Sequence, residues 1–314
     1  MPGEPSDVRL TRCPLLEAAH RQLMRALWLN GQRSAALMVV HDGQVRLERY
    51  GLDFDANGRW TSFSVAKSIT STLVGAALRD GHIRSMDDKV TDYIPQMKGS
   101  AYDAVSIRQL LTMTSGVRWN EDYGDPNSDV ARFNNHKPED GVDALVSYLR
   151  KLPREVPAGT RWNYSTGETN LVGVLLAQAT GKPLAHYLSE KIWVPAGMQQ
   201  PATWILSRSG REISGCCLQA APRDFARLGL FILDGARVNG QPIVPEGWLA
   251  EATTERTGIG QPGRERRDRR VAARHPLAGD VAYSGMEIQV LDDPAPRYKD
   301  IKPGQHAGSI YDVF

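Results

Sequence analysis

The stretch SFSVAKSITSTLVG, residues 62–75, sets a lysine inside a run of small and apolar side chains. At helical spacing Lys67 falls one turn beyond Ser64 on the same face, so its amine and the serine hydroxyl can meet. Held among Ala66, Ile69 and Thr70, an ammonium group loses solvation; its pKa falls, and a neutral amine can take the serine proton. Ser64 would also stand at the helix N-terminus, where free N–H groups and the helix dipole favour developing negative charge. On this reading the lysine is there as a base or proton relay. Serine-x-x-lysine is a short pattern, with about one chance match expected in a chain of this length, so its context decides the reading.

Local signals lay out the rest. Residues 15–28 carry Leu15, Leu16, Ala19, Leu23 and Leu27 at helical spacing, which predicts an amphipathic opening helix. Residues 35–51 read as a β-hairpin turning at Asp42-Gly43. A helix over 64–78 stops before Gly81. Ser106 and Gln109 form a capping box for a helix over 107–113 that ends by Gly116. A buried helix is predicted over 169–178, with Gly181 beyond it. Another spans 222–233, opened by Pro222 and closed before Gly235. Residues 258–280 are rich in Gly, Pro and Arg and read as a loop, and 286–290 alternate like a strand.

Composition excludes several classes. At 314 residues the chain can bury a large core, and 41% hydrophobic with 24% charged residues is ordinary for a globular protein. A net charge of +2 calls for no polyanionic partner. The basic stretch 264–270 is broken by acids and lacks interleaved aromatics, so no nucleic acid is expected. Of three cysteines, Cys216 and Cys217 are adjacent, which makes no disulfide framework, and no zinc pattern exists. Without a signal peptide or an apolar run of about 18 residues, no membrane contact and a cytoplasmic location are expected.

From SFSVAKS onward the chain resembles the penicillin-recognising serine hydrolases: class C β-lactamases, D,D-peptidases, family VIII esterases and 6-aminohexanoate-dimer hydrolases. VSIRQLLTMTSGV at 105–117, WNYSTGETNLVGVLLAQATGKPL at 162–184 and AAPRDFARLGLFILDG at 220–235 resemble that superfamily in the same order. The resemblance implies an α/β fold, a β-lactamase-like α/β sandwich with a helical lobe. It also implies a hydrolase that cleaves a small ester or amide through a Ser64 acyl-enzyme, with Lys67 and Tyr164 as proton-transfer groups and no cofactor. Thr166 stands where the superfamily carries an amide or serine, which implies contact with substrate. The loop 120–126 looks like that of the 6-aminohexanoate-dimer hydrolases, in which the tyrosine matching Tyr123 contacts the scissile amide.

The resemblance weakens toward the C-terminus. The superfamily completes its site with a strand carrying lysine-threonine-glycine, histidine-x-glycine or tryptophan-glycine-glycine, and only His306-Ala307-Gly308 offers such a string. Residues 284–314 instead look like a piece of the 3-keto-disaccharide hydrolase-like family, a β-sandwich fold. The expected organisation is a hydrolase domain over 1–257 lacking its last strands, a linker over 258–283 and a partial sandwich-like tail over 284–314. The alternative to an active hydrolase is a binding protein that keeps the pocket without turnover.

Overall fold

A computed structural model describes residues 35–254 and Ile259. The expected opening helix, the Arg-rich linker and the tail strand lie outside these residues. In chain order, the elements that position the site are β1 (Ala36–His41), β2 (Gln44–Tyr50), β3 (Trp60–Thr61), α1 (Ala66–Arg79), α2 (Ile107–Leu111), α3 (Thr166–Thr180), β4 (Thr203–Trp204), β5 (Leu218–Ala220) and α4 (Pro222–Leu233). Short helical turns fill most of the region between α1 and α3 and make the helical lobe. No described helix is long and apolar enough to cross a membrane.

β1 and β2 pair antiparallel, and Asp42 and Gly43 both adopt positive φ at the turn. Adjacent left-handed residues match the twist of the strands that they join, which is why Asp-Gly marks a tight hairpin. β3, β5 and β4 form a second antiparallel sheet in that order, with Thr61 opposite Gln219. The ladder continues one residue further, where Ser62 N donates to Leu218 O at 2.7 Å. The end of β3 and the start of β5 are thereby neighbours. One leads into Ser64, and the other follows residues 213–217.

The core lies between α1 and α3, which pack directly on each other. Leu73, Val74, Ala76 and Ala77 of α1 and Leu171 and Leu175 of α3 are fully buried. α3 is buried on every side from Thr166 to Leu176, the behaviour of a central helix rather than an amphipathic surface one. Its start differs from expectation by one turn. The Ser165 side chain accepts from Glu168 N and caps the helix at Thr166, not Thr169. α2 has both halves of its expected capping box but stops at Leu111, because Met113 takes a φ of 54°. Gly173 admits the neighbouring chain: a Cβ there would lie 2.2 Å from Ser214 Oγ.

Glu168 is the unusual core residue. It is 3% exposed, Tyr102 OH donates to its Oε1 at 3.3 Å, and its Oε2 has no hydrogen-bond partner among the described residues. Burial raises its pKa from 4.5 to about 8, against the hydroxyls of Ser115 and Tyr102, which lower it. Folding therefore favours the protonated acid. The sign follows from proton linkage: a raised folded-state pKa gives stability that is full below about pH 4.5 and lost as pH rises through about 8, at about 1.4 kcal/mol per pH unit between. Glu168→Gln keeps the shape and removes the titration. Its melting temperature should gain on the wild type steadily from about pH 5 to about pH 8; a difference that stays constant with pH would show that Glu168 is ionised in the fold.

Candidate active site

The nucleophile turn is built at the end of β3. Ser62 completes the ladder with β5, then Phe63 takes a φ of 44°, and the chain enters a 3-10 turn at Phe63–Val65 that runs into α1. An aromatic residue in the left-handed region costs on the order of 1–2 kcal/mol. That strained turn takes Ser64 off the strand and sets it in the 3-10 turn just before α1.

Lys67 lies one turn on. Its Nζ is 3.1 Å from Ser64 Oγ, 3.2 Å from Thr166 Oγ1 and 2.7 Å from Gly215 O. An ammonium has three N–H groups for these three oxygens. A neutral amine fits equally well, donating to Thr166 and Gly215 and receiving the Ser64 proton on its lone pair. Enclosure favours the second state: desolvation lowers the Lys67 pKa from 10.5 to about 8, and the Glu121 charge opposes it. Tyr164 OH donates to Ser64 Oγ at 2.9 Å, and its ring centroid lies 5.1 Å from Lys67 Nζ. The three groups named from the sequence as catalytic thus converge on one oxygen.

The two groups named as substrate-binding sit behind and beside them. Thr166 is 5% exposed; its hydroxyl takes a hydrogen bond from Lys67 and gives one to Glu121 Oε1. Tyr123 is 38% exposed at the rim, and its hydroxyl donates to Glu121 Oε1 at 2.8 Å. Burial raises the Tyr123 pKa, and the Glu121 charge raises it further.

Glu121 was not singled out by sequence reasoning. Besides those two hydroxyls, its carboxylate receives Thr166 N at 3.0 Å and the Trp119 indole N–H. It therefore sits on the N-terminus of α3, where the helix dipole favours an anion. Its loop is pinned by Asp129, which accepts from Asn120 N and from Tyr148 OH, both at 2.7 Å. The loop 120–126 holds Glu121, Asp122 and Asp125, and spacing alone could not choose between them.

Residues 213–217 supply the other wall. Thr70 OH donates to Ser214 O at 2.8 Å, Ser214 OH to Thr169 O at 3.0 Å, and Gly215 N to Asn170 Oδ1 at 2.7 Å. This stitching to both helices aims the Gly215 carbonyl at Lys67. Directly after it, Cys216 and Cys217 are joined by a disulfide. Adjacency argued against a disulfide framework, yet it permits this local ring, with Cys217 at a φ of 71°.

The fold has counterparts among known proteins. The family profile described as Beta-lactamase matches residues 20–286. The chain is 29% identical over 257 residues to a 6-aminohexanoate-dimer hydrolase of Paenarthrobacter ureafaciens, covering 79% of this chain and 62% of that protein. Among solved structures, a penicillin-binding protein homologue from Caulobacter crescentus matches with a TM-score of 0.61 at 19% identity, over 79% of this chain and 77% of that one. A class C β-lactamase in complex with cefoxitin matches with a TM-score of 0.56 at 20% identity, over 76% and 70%. The chain spans less than two thirds of the length of its 6-aminohexanoate-dimer hydrolase relative.

The opposed influences on Lys67 can be separated. Glu121→Gln removes the charge that raises the lysine pKa and leaves burial in place, so Lys67 should titrate below about 8. The pH dependence of Lys67 acetylation by acetic anhydride, read by peptide mass, measures this directly. A midpoint that rises or stays put would show that Glu121 does not act on the amine.

Proposed function

The chain belongs to the β-lactamase family, and from that premise we propose that it hydrolyses a small ester or amide through an acyl-enzyme on Ser64. The observation that carries the reading is the meeting of Lys67 Nζ and Tyr164 OH on Ser64 Oγ, at 3.1 and 2.9 Å. Ser64 Oγ attacks the substrate carbonyl as its proton passes to the neutral Lys67 amine. The Ser64 N–H and the positive end of α1 face the oxyanion that forms. Tyr164 OH then gives its proton to the leaving amine or alkoxide and is reprotonated from Lys67, which returns the amine to its neutral state. Water attacks the acyl-enzyme by the reverse sequence of proton transfers and releases the acid.

Glu121 and Thr166 hold this apparatus from behind. Thr166 OH fixes one N–H of Lys67, and the Glu121 charge keeps the lysine pKa from falling further with burial. Tyr123 at the rim is the group placed to meet the substrate. An amide substrate is supported by the relative that is 29% identical, a hydrolase of 6-aminohexanoate dimer.

A fluorophosphonate probe tests the reading, since it phosphonylates an activated serine and the product is stable to intact-mass measurement. The expected result is one adduct, mapped to Ser64 and absent from Ser64→Ala. Lys67→Ala and Tyr164→Phe should each slow its formation by at least about a hundredfold. Folded wild-type protein that takes no label while binding short acyl esters saturably would instead favour a pocket without turnover.

A further inference from the structure

Residues 213–217 hold a chemical group that acyl transfer does not use. Cys216 and Cys217 are joined to each other; Cys217 is 2% exposed, and Cys216 is half-buried and the more accessible of the two. The ring they close stands between two anchors of the site. On one side, Gly215 O takes the 2.7 Å hydrogen bond from Lys67 Nζ. On the other, Leu218 O takes the 2.7 Å hydrogen bond from Ser62 N, two residues before the nucleophile. The carbonyls of the pair are engaged as well: Cys216 O accepts from the Trp204 indole at 2.8 Å and Cys217 O from Ile205 N at 3.3 Å.

We propose that Cys216–Cys217 is a reversible thiol–disulfide site whose redox state governs how the Gly215 carbonyl is held against Lys67. The reactant class is a small dithiol in one direction and a small disulfide in the other. A dithiol thiolate attacks the sulfur of Cys216, the less buried residue of the two, the S–S bond breaks, and Cys217 leaves as a thiolate that takes up a proton. The second thiol of the reductant then closes its own disulfide and releases Cys216 as a thiol. Two electrons and two protons enter the protein, and the dithiol is oxidised by the same amount.

The ring restrains the peptide between the two cysteines, and Cys217 within it stands at a φ of 71°. Reduction removes that restraint within two residues of the Lys67 acceptor. The amine is then faced by Ser64 Oγ and the Tyr164 ring from the nucleophile side, by Thr166 Oγ1 from α3, and by the Glu121 charge across the 119–123 loop. The Gly215 carbonyl directly precedes the cysteine pair, and the Ser62–Leu218 hydrogen bond ties the nucleophile turn to the residue that follows it. Loosening that carbonyl takes an acceptor from the ammonium form, so the charged state loses ground. The effect on turnover rests on Lys67 being the base, as proposed above; the thiol chemistry and the effect on the amine do not.

Three readouts on the full chain decide it. Peptide-level alkylation after denaturation should find Cys216 and Cys217 blocked in air-purified protein, both free after dithiothreitol, and both blocked again after oxidised glutathione. Lys67 acetylation by acetic anhydride should then show a lower midpoint pH in the reduced protein. Hydrolysis of a short acyl ester should slow by about threefold or more on reduction and recover on reoxidation. The double variant Cys216→Ser, Cys217→Ser should behave as the reduced form and ignore dithiothreitol. Thiols that stay free after oxidant overturn the proposal, and so does a disulfide that cycles without moving the Lys67 midpoint. A moving midpoint with no hydrolysis in either state would sustain the redox site and sink the hydrolase reading.

Discussion

The enclosure of one amine organises this molecule. Lowering the Lys67 pKa from 10.5 to about 8 is worth about 3 kcal/mol between its two protonation states. Such an amine is tolerable only where each of its N–H groups meets an oxygen. The three oxygens come from three separate parts of the chain: the start of α1, the start of α3 and residues 213–217. Bringing those parts together fixes how α1 lies on α3 and how residues 213–217 cross both helices. The packing of the core and the geometry of the site are thus one problem. The small residues of α1 and the close approach of Ser214 to Gly173 serve both.

Around the amine, opposing influences are held in balance. Desolvation pushes the lysine toward neutrality, and the Glu121 charge pulls it back toward the ammonium. Glu121, in its partly buried place, receives hydrogen bonds from Thr166 N–H, at the head of α3, and from three side chains. Two residues beyond Thr166, Glu168 is treated differently: enclosed, with one oxygen that has no partner among the described residues, it keeps its proton. The two acids at this helix end thus differ in how many donors each meets. The positive φ of Phe63 belongs to the same economy, since backbone strain next to the nucleophile is offset by the ladder of β3 with β5 and the burial of α1.

Elements governed by neighbours in sequence were legible. Asp42-Gly43 marked its hairpin, the Ser106 and Gln109 pair its capping box, and Pro222 and Gly235 bracketed α4 as found. The spacing of Ser64 and Lys67 was enough to place their side chains together, because one helical turn is a local fact. Tyr164 came from the resemblance, since nothing in the spacing of residues 100 apart brings it to Ser64. What stayed hidden depends on distant parts of the chain. Lys67 and the Gly215 carbonyl are 148 residues apart, and a backbone acceptor has no sequence signature at all. Glu121 looked like one acid of a surface loop until α3 was set against it. The early start of α3 was missed because its first turn is polar, and burial from every side outweighs the weak apolar pattern there.

The most direct test of the account is the rate of Ser64 acylation by an activated ester, measured before steady state as a function of pH. The rate should rise with deprotonation of Lys67 and level off above a single inflection at about pH 8. An inflection near 10.5, where an ordinary solvated lysine titrates, or a rate indifferent to pH across the neutral range, would contradict it.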